Sequence, residues 1–261
     1  MDGIKAIICD MDGVLWEGDR ALPGLPAFFE ATYTRRLPFV LATNNSSKTR
    51  QDYVNKLAKM GAHNIPEDRI VTSGTATAAY LKKHYEPGAL IHVFGSHGLY
   101  DVVRGAGFTI TENGTARAVV AGLNWELNYD MLKRASFAIR AGADFIGTNP
   151  DTTFPTPEGP APGAGSLLAA LQAATGVAPV IIGKPYPHMF EAALDLLGTA
   201  PADTLMIGDR LNTDIVGAAQ LGIQTALILT GISSAAELAA SDIQPDFIFA
   251  DLPALVQALL V

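Results

Sequence analysis

Residues 4–15 read Ile4-Lys5-Ala6-Ile7-Ile8-Cys9-Asp10-Met11-Asp12-Gly13-Val14-Leu15. A short apolar run rich in β-branched residues stops at two aspartates and a glycine. The run predicts a buried strand. Residues i and i+2 of an extended segment point the same way, so Asp10 and Asp12 are expected to project toward one place. Gly13 lets the chain turn away with an unusual φ. Nine further strand-like runs follow at 39–42, 70–72, 90–94, 118–121, 145–147, 180–182, 205–207, 225–229 and 247–249. Amphipathic stretches lie between them, among them 50–60, 129–140, 166–174, 188–197 and 214–221. Strand–helix alternation with nearly continuous apolar strands predicts an α/β fold with parallel sheets covered on both faces.

Ten strands fit two sheets better than one. The expected division is a core of 1–74 plus 181–261, with 75–180 inserted as a second α/β unit. Residues 148–165, rich in Pro, Gly and Thr, read as a long loop of the kind that is usually functional. Apolar residues make up 49% of the 261 and charged residues 17%, enough to bury a sizeable core. The net charge of −8 offers no basic footprint for nucleic acid. The single cysteine, Cys9, excludes an internal disulfide and a CxxC zinc site, and reads as a buried strand residue. Among the five histidines there is no HxxxH or HExxH pair. No apolar run is long enough for a membrane span, and the N-terminus lacks a signal-peptide pattern, so a cytoplasmic protein is the default expectation.

Four strand ends carry the polar residues: Asp10 and Asp12, Thr43-Asn44, Lys184, and Asp209 with Asp214 close behind. Ligands of parallel α/β sheets bind at the carboxyl ends of strands, which would gather these groups. Paired carboxylates repel each other without a cation. A hard divalent ion with oxygen ligands relieves this, and Mg²⁺ suits the set better than zinc because no soft ligand accompanies it. Asp209 adds a ligand. Asp214 reads either as a helix cap or as an outer metal ligand. Thr43 and Asn44 precede Asn45-Ser46-Ser47, which reads as the opening of a helix-like stretch. Backbone N–H groups and hydroxyls there can receive a phosphate or cap the helix. Lys184, charged at the end of an apolar run, reads as functional.

Taken together these residues resemble the haloacid dehalogenase superfamily of phosphotransferases. Asp10-x-Asp12-Gly13, Thr43-Asn44, Lys184 and Gly208-Asp209 with Asp214 match its four motifs in order, over nearly the whole chain. A closer resemblance, to NagD-like, p-nitrophenylphosphatase-type members, rests on Thr43-Asn44-Asn45-Ser46, Thr148-Asn149-Pro150-Asp151, Pro162-Gly163-Ala164-Gly165-Ser166 and Gly183-Lys184-Pro185. The resemblance implies a Rossmann-like core with an inserted α/β cap, and a Mg²⁺-dependent phosphatase of small phosphomonoesters. Nucleotide, sugar and glycerol phosphates, phosphoglycolate and p-nitrophenyl phosphate are the candidate substrates.

It implies Asp10 as the nucleophile that forms an aspartyl phosphate, and Asp12 as the acid and then the base. It implies metal binding by Asp10, the Asp12 carbonyl and Asp209, with Asp214 in support. Thr43, Asn44 and Lys184 would hold the phosphoryl oxygens. Asn124, Trp125, Glu126, Asn149, Asp151 and Thr153 are the cap residues that would sort substrates; Asn149 and Asp151 read equally as turn caps beside Pro150. A homodimer through the cap is left open.

Two positions depart from the family pattern. Asn212 stands where relatives often have aspartate, and so does Asn124. Trp16-Glu17-Gly18 reads as an ordinary turn or a flap. A phosphomutase is disfavoured because about 30 residues separate Asp12 from Thr43, too few for a helical cap. A phosphoaspartate signalling receiver is disfavoured because such domains run about 120 residues without an insertion. The sequence leaves the cis or trans state of Pro185 and Pro187 open.

Overall fold

The computed structural model describes residue 1 and residues 3–112, 115–156 and 158–260. The chain packs as two compact units. One comprises residues 1–43, 50–71 and 190–261, and the other residues 44–49 and 72–189.

The first unit is built on a six-stranded sheet. Its spatial order is Phe247–Phe249, Gln224–Ile228, Thr204–Gly208, Ala6–Cys9, Phe39–Thr43 and Ile70–Thr72. The strand from Ala6 to Cys9 lies at the centre and pairs in parallel with Thr204–Gly208 on one side and Phe39–Thr43 on the other. The strand order reverses there, at the position where α/β sheets place their ligand crevice. Ile7, Cys9, Leu41, Ile207 and Ala226 share a core with Phe28, Leu57, Leu252 and Leu255 from the helices Leu25–Thr34, Arg50–Lys59 and Leu252–Leu260. Leu227 points the opposite way, against Leu211 and Ile215. Burial on both faces explains why these strands read as continuous apolar runs.

The second unit carries a five-stranded sheet in the order Val180–Ile181, Asp144–Gly147, Ala118–Ala121, Leu90–Phe94 and Thr109–Ile110, all parallel. Phe94, Val119, Ala121 and Phe145 bury against Ala135, Ile139, Leu168 and Leu171 of the helices Tyr129–Arg140 and Ala164–Thr175. Asn128 caps the first of these by accepting the Met131 N–H at 3.0 Å.

Residues 148–165 are not one loop. They hold an antiparallel hairpin, Thr153–Thr156 against Gly159–Pro162, whose second strand opens with Gly159 at φ 125°. Pro155 stands opposite Pro160 in it. Proline supplies no ladder donor, so a two-stranded ribbon made of edges tolerates it where a central strand would not. Residues 45–47 do not open a helix either; the helix begins at Arg50. Among the described residues no helix is long and apolar enough to cross a membrane.

Candidate active site

In the first unit, the pairing of Cys9 with Ile207 places the next residues of both strands side by side. The Asp10 N–H donates to the Ile207 carbonyl at 2.8 Å. Asp10, Asp209 and Asp214 are all buried, and one carboxylate oxygen from each lies within 4.8 Å of the others. Asp214 falls in a π-helical turn, Leu211–Ile215, that leads into the helix Val216–Gln220. Its Oδ2 accepts the Arg210 N–H at 3.1 Å, so it serves the turn as well as facing the acidic cluster.

Asp209 Oδ2 accepts the Ile232 N–H at 2.7 Å, while Asp209 Oδ1 is buried with no hydrogen-bond partner among the described residues. Burial pushes the Asp209 carboxyl up to about 7, with the negative charges of Asp10 and Asp214 adding to the rise. Three buried carboxylates and an unsatisfied oxygen are costly alone and fit a hard divalent cation such as Mg²⁺. Glycines line this cluster. A Cβ at Gly13 would strike Asp209, and one at Gly208 would strike Asp214. Gly13 also has φ 82°, a conformation that favours glycine.

The Asp12 carboxylate stands outside that trio. It is exposed, and its Oδ1 accepts the indole N–H of Trp16 at 2.7 Å. Thr43, at the end of the neighbouring strand, is buried and shares a hydrogen bond with the hydroxyl of buried Tyr53. Burial raises the Tyr53 hydroxyl above its ordinary range, and the nearby Asp12 charge adds to this. Trp16–Glu17 and Arg20–Ala21 form a small antiparallel hairpin directly after the Asp10–Asp12 turn. Cys9 is fully buried.

In the second unit, Asn44 acts as a clamp. Its Oδ1 accepts the Lys184 N–H at 2.8 Å, and its Nδ2 donates to the Lys184 carbonyl at 3.0 Å and to Asp151 Oδ2 at 3.1 Å. Its carbonyl accepts from Asn149 Nδ2 at 2.7 Å and from the Ser73 hydroxyl at 2.5 Å. Lys184 is 3% exposed, and the peptide bond to Pro185 is cis. Asn149 and Asp151 thus turn toward Asn44, with Asn149 Oδ1 also capping the Asp151 N–H at 3.1 Å.

Asn124 is buried and its Oδ1 holds the Glu126 N–H at 2.9 Å, shaping the turn that carries Trp125. Trp125 is exposed and meets Phe154 edge to face, with ring centroids 5.2 Å apart. Thr153 begins the hairpin that carries Phe154. Asn124, Trp125 and Glu126 line a cavity of about 530 Å³ at the strand ends of this unit, together with His97, Tyr100 and Arg104. These last three had no motif to mark them, nor had Tyr53 and Gly231; Trp16 was marked only as part of a turn or flap, without its bond to Asp12.

A haloacid dehalogenase-like hydrolase family model matches residues 7–109, and a HAD-hydrolase-like model matches residues 181–255. The acid sugar phosphatase of Staphylococcus epidermidis is 34% identical over 259 residues, 99% of each chain. The 4-nitrophenylphosphatase structure from Thermotoga maritima superposes with a TM-score of 0.93 at 38% identity, over 99% of this chain and 98% of that one. NagD from E. coli K-12 gives 0.89 at 35% identity, over 95% and 97%. The chain belongs to the haloacid dehalogenase-like hydrolases, in their NagD-like, p-nitrophenylphosphatase-type branch, and is a phosphoric monoester hydrolase.

Proposed function

We propose that the chain hydrolyses small phosphomonoesters through an aspartyl phosphate on Asp10, with Mg²⁺ as cofactor. The buried trio Asp10, Asp209 and Asp214, with Asp209 Oδ1 left unsatisfied, carries this reading. These three and the Asp12 carbonyl would hold the ion, whose charge lets an anionic carboxylate approach an anionic phosphate.

Asp10 attacks phosphorus, a new O–P bond forms, and the bond to the leaving alcohol breaks. Asp12 gives its proton to that alcohol oxygen, then takes one from the water that attacks the aspartyl phosphate. Thr43, the amide of Asn44 and the ammonium of Lys184 hold the phosphoryl oxygens, since this transfer depends mainly on positioning and charge neutralisation. The second unit acts as the cap. Its cavity, with Trp125 at the mouth and Arg104 and Glu126 on the walls, suits a compact hydroxylated leaving group such as a sugar or glycerol. Relatives named for sugar phosphates and for 4-nitrophenyl phosphate support the same size class.

The test is phosphate release from sugar phosphates, glycerol phosphate, nucleoside monophosphates, phosphoglycolate and p-nitrophenyl phosphate. It is run with Mg²⁺, with EDTA, and with Asp10→Asn. Release is expected to need both Mg²⁺ and Asp10. Release that persists in Asp10→Asn at the wild-type rate overturns the assignment.

A further inference from the structure

Trp16 is fully buried, yet it follows the exposed Asp12 by only four residues. One bond ties the pair directly, and a second ties Trp16 to the residue after Asp12. The indole Nε1–H donates to Asp12 Oδ1 at 2.7 Å, and the Gly13 N–H donates to the Trp16 carbonyl at 2.8 Å. The turn between them closes on Met11, whose carbonyl accepts from the Leu15 N–H at 2.8 Å. Trp16 is itself held from the helix Arg50–Lys59. The Tyr53 ring lies at 6.4 Å and 18° from the indole, and Lys56 Nζ sits 4.5 Å over it. Residues three apart on a helix share a face, which is why Tyr53 and Lys56 reach the same side chain. Lys56 Nζ also donates to the Gly18 carbonyl at 2.7 Å, pinning the hairpin that begins with Trp16. At its far end Tyr53 shares a hydrogen bond with Thr43.

An exposed aspartate ordinarily samples several staggered rotamers. An indole N–H is a donor with no acceptor capacity, so it selects the rotamer that offers it a carboxyl oxygen. With Oδ1 accepting from the indole, Oδ2 is the oxygen placed to exchange a proton with substrate or water. The geometry points to Trp16 as a positioning residue for the acid. It fixes the rotamer of Asp12 and leaves Oδ2 to face the leaving oxygen, while Tyr53 links this support to the phosphate-binding Thr43. This inference rests on the acid role of Asp12 proposed above.

Two measurements test it. The first compares kcat/KM for glycerol phosphate and for p-nitrophenyl phosphate in Trp16→Phe, Asp12→Ala and the double variant. An alkoxide needs protonation far more than nitrophenolate does. Trp16→Phe is expected to cost glycerol phosphate about tenfold or more and the aryl ester under about threefold, as loss of one hydrogen bond to a charged group predicts. It should cost nothing further in the Asp12→Ala background. Equal losses on both esters, or a full additional loss in the double variant, overturn the positioning role.

The second measurement needs no activity or metal. The chain has two tryptophans, and Trp125→Phe leaves only the Trp16 indole proton in the NMR spectrum. That resonance should lie downfield, exchange slowly, and move in Asp12→Ala. A resonance indifferent to Asp12→Ala overturns the inference even where Trp16→Phe fails to fold. If Asp12→Ala itself costs both esters equally, the acid role fails instead, and the indole shift still reports the bond.

Discussion

The backbone of Gly231 lies flat against the side chain of Asp209: a Cβ built there would stand 2.5 Å from both the Cβ and the Cγ of that aspartate. The next residue, Ile232, donates its N–H to Asp209 Oδ2 at 2.7 Å. One short segment therefore both confines and orients the carboxylate. Gly231→Ala must displace Asp209 or the segment. Overpacking of this kind typically costs about 1–3 kcal/mol. The variant is expected to lose that much stability and to raise the Mg²⁺ concentration needed for half-maximal activity. A Mg²⁺ titration followed by thermal unfolding checks it, and an unchanged midpoint would dismiss the steric argument.

Burial and the neighbouring charges of Asp10 and Asp214 raise Asp209 from 3.8 to about 7. A raised carboxyl favours the folded state while it is protonated. Its contribution is fully present below the unfolded value near 3.8 and is lost as pH climbs through about 7. In EDTA, Asp209→Asn should therefore be more stable than the wild type at pH 8, and the difference should shrink toward pH 4. Mg²⁺ should restore the wild type at pH 8 and do little for the variant. Denaturant melts at the two pH values, with and without Mg²⁺, measure this. A constant difference across pH would show that Asp209 is not the group responsible.

All ten strand-like runs are strands, with ends shifted by at most two residues. Double-sided burial writes a continuous apolar signal into most of them, while Val180–Ile181 and Phe247–Phe249 are partly exposed edge strands. Weak signals were lost. Thr109–Ile110 is two residues long, and the hairpin containing Gly159 hides behind Pro155, Pro160 and Pro162. The acidic trio was legible for a topological reason: strands beside a reversal in order bring their ends together. Its supports were not. Gly231 follows Asp209 by 22 residues, and Tyr53 lies on a helix whose sequence pattern marks only a buried face. The contacts of Trp16, Tyr53 and Gly231 are set by tertiary packing, which local periodicity does not encode.

Asn44 joins four other residues of its unit through side-chain or main-chain bonds: Lys184, Asp151, Asn149 and Ser73. Removing one partner of a buried polar set costs about 1–3 kcal/mol. Asn44→Ala should raise KM for every phosphomonoester alike, because it releases the backbone that carries Lys184. Asn149→Ala removes the 2.7 Å bond to the Asn44 carbonyl and should act in the same direction. Residues in one network couple, so the double variant should cost less than the sum of the two. Steady-state kinetics on the four proteins form the cycle, and strict additivity would argue against a shared clamp.

Trp125 differs from these residues in being 64% exposed, and its edge-to-face contact with Phe154 is its one ring partner among the described residues. A substitution at such a position usually leaves stability within about 0.5 kcal/mol. Trp125 nevertheless lines the cavity of about 530 Å³ with Asn124 and Glu126. Trp125→Ala should therefore reorder kcat/KM among sugar, glycerol and nucleoside phosphates by about tenfold, the scale of one lost apolar contact in a pocket. Inhibition by inorganic phosphate should stay as in the wild type, because the phosphoryl oxygens are proposed to rest on Thr43, Asn44 and Lys184. Competition assays separate the two effects. An unchanged ranking of esters would take Trp125 out of substrate selection, and a weakened phosphate inhibition would place it with the phosphoryl-binding residues.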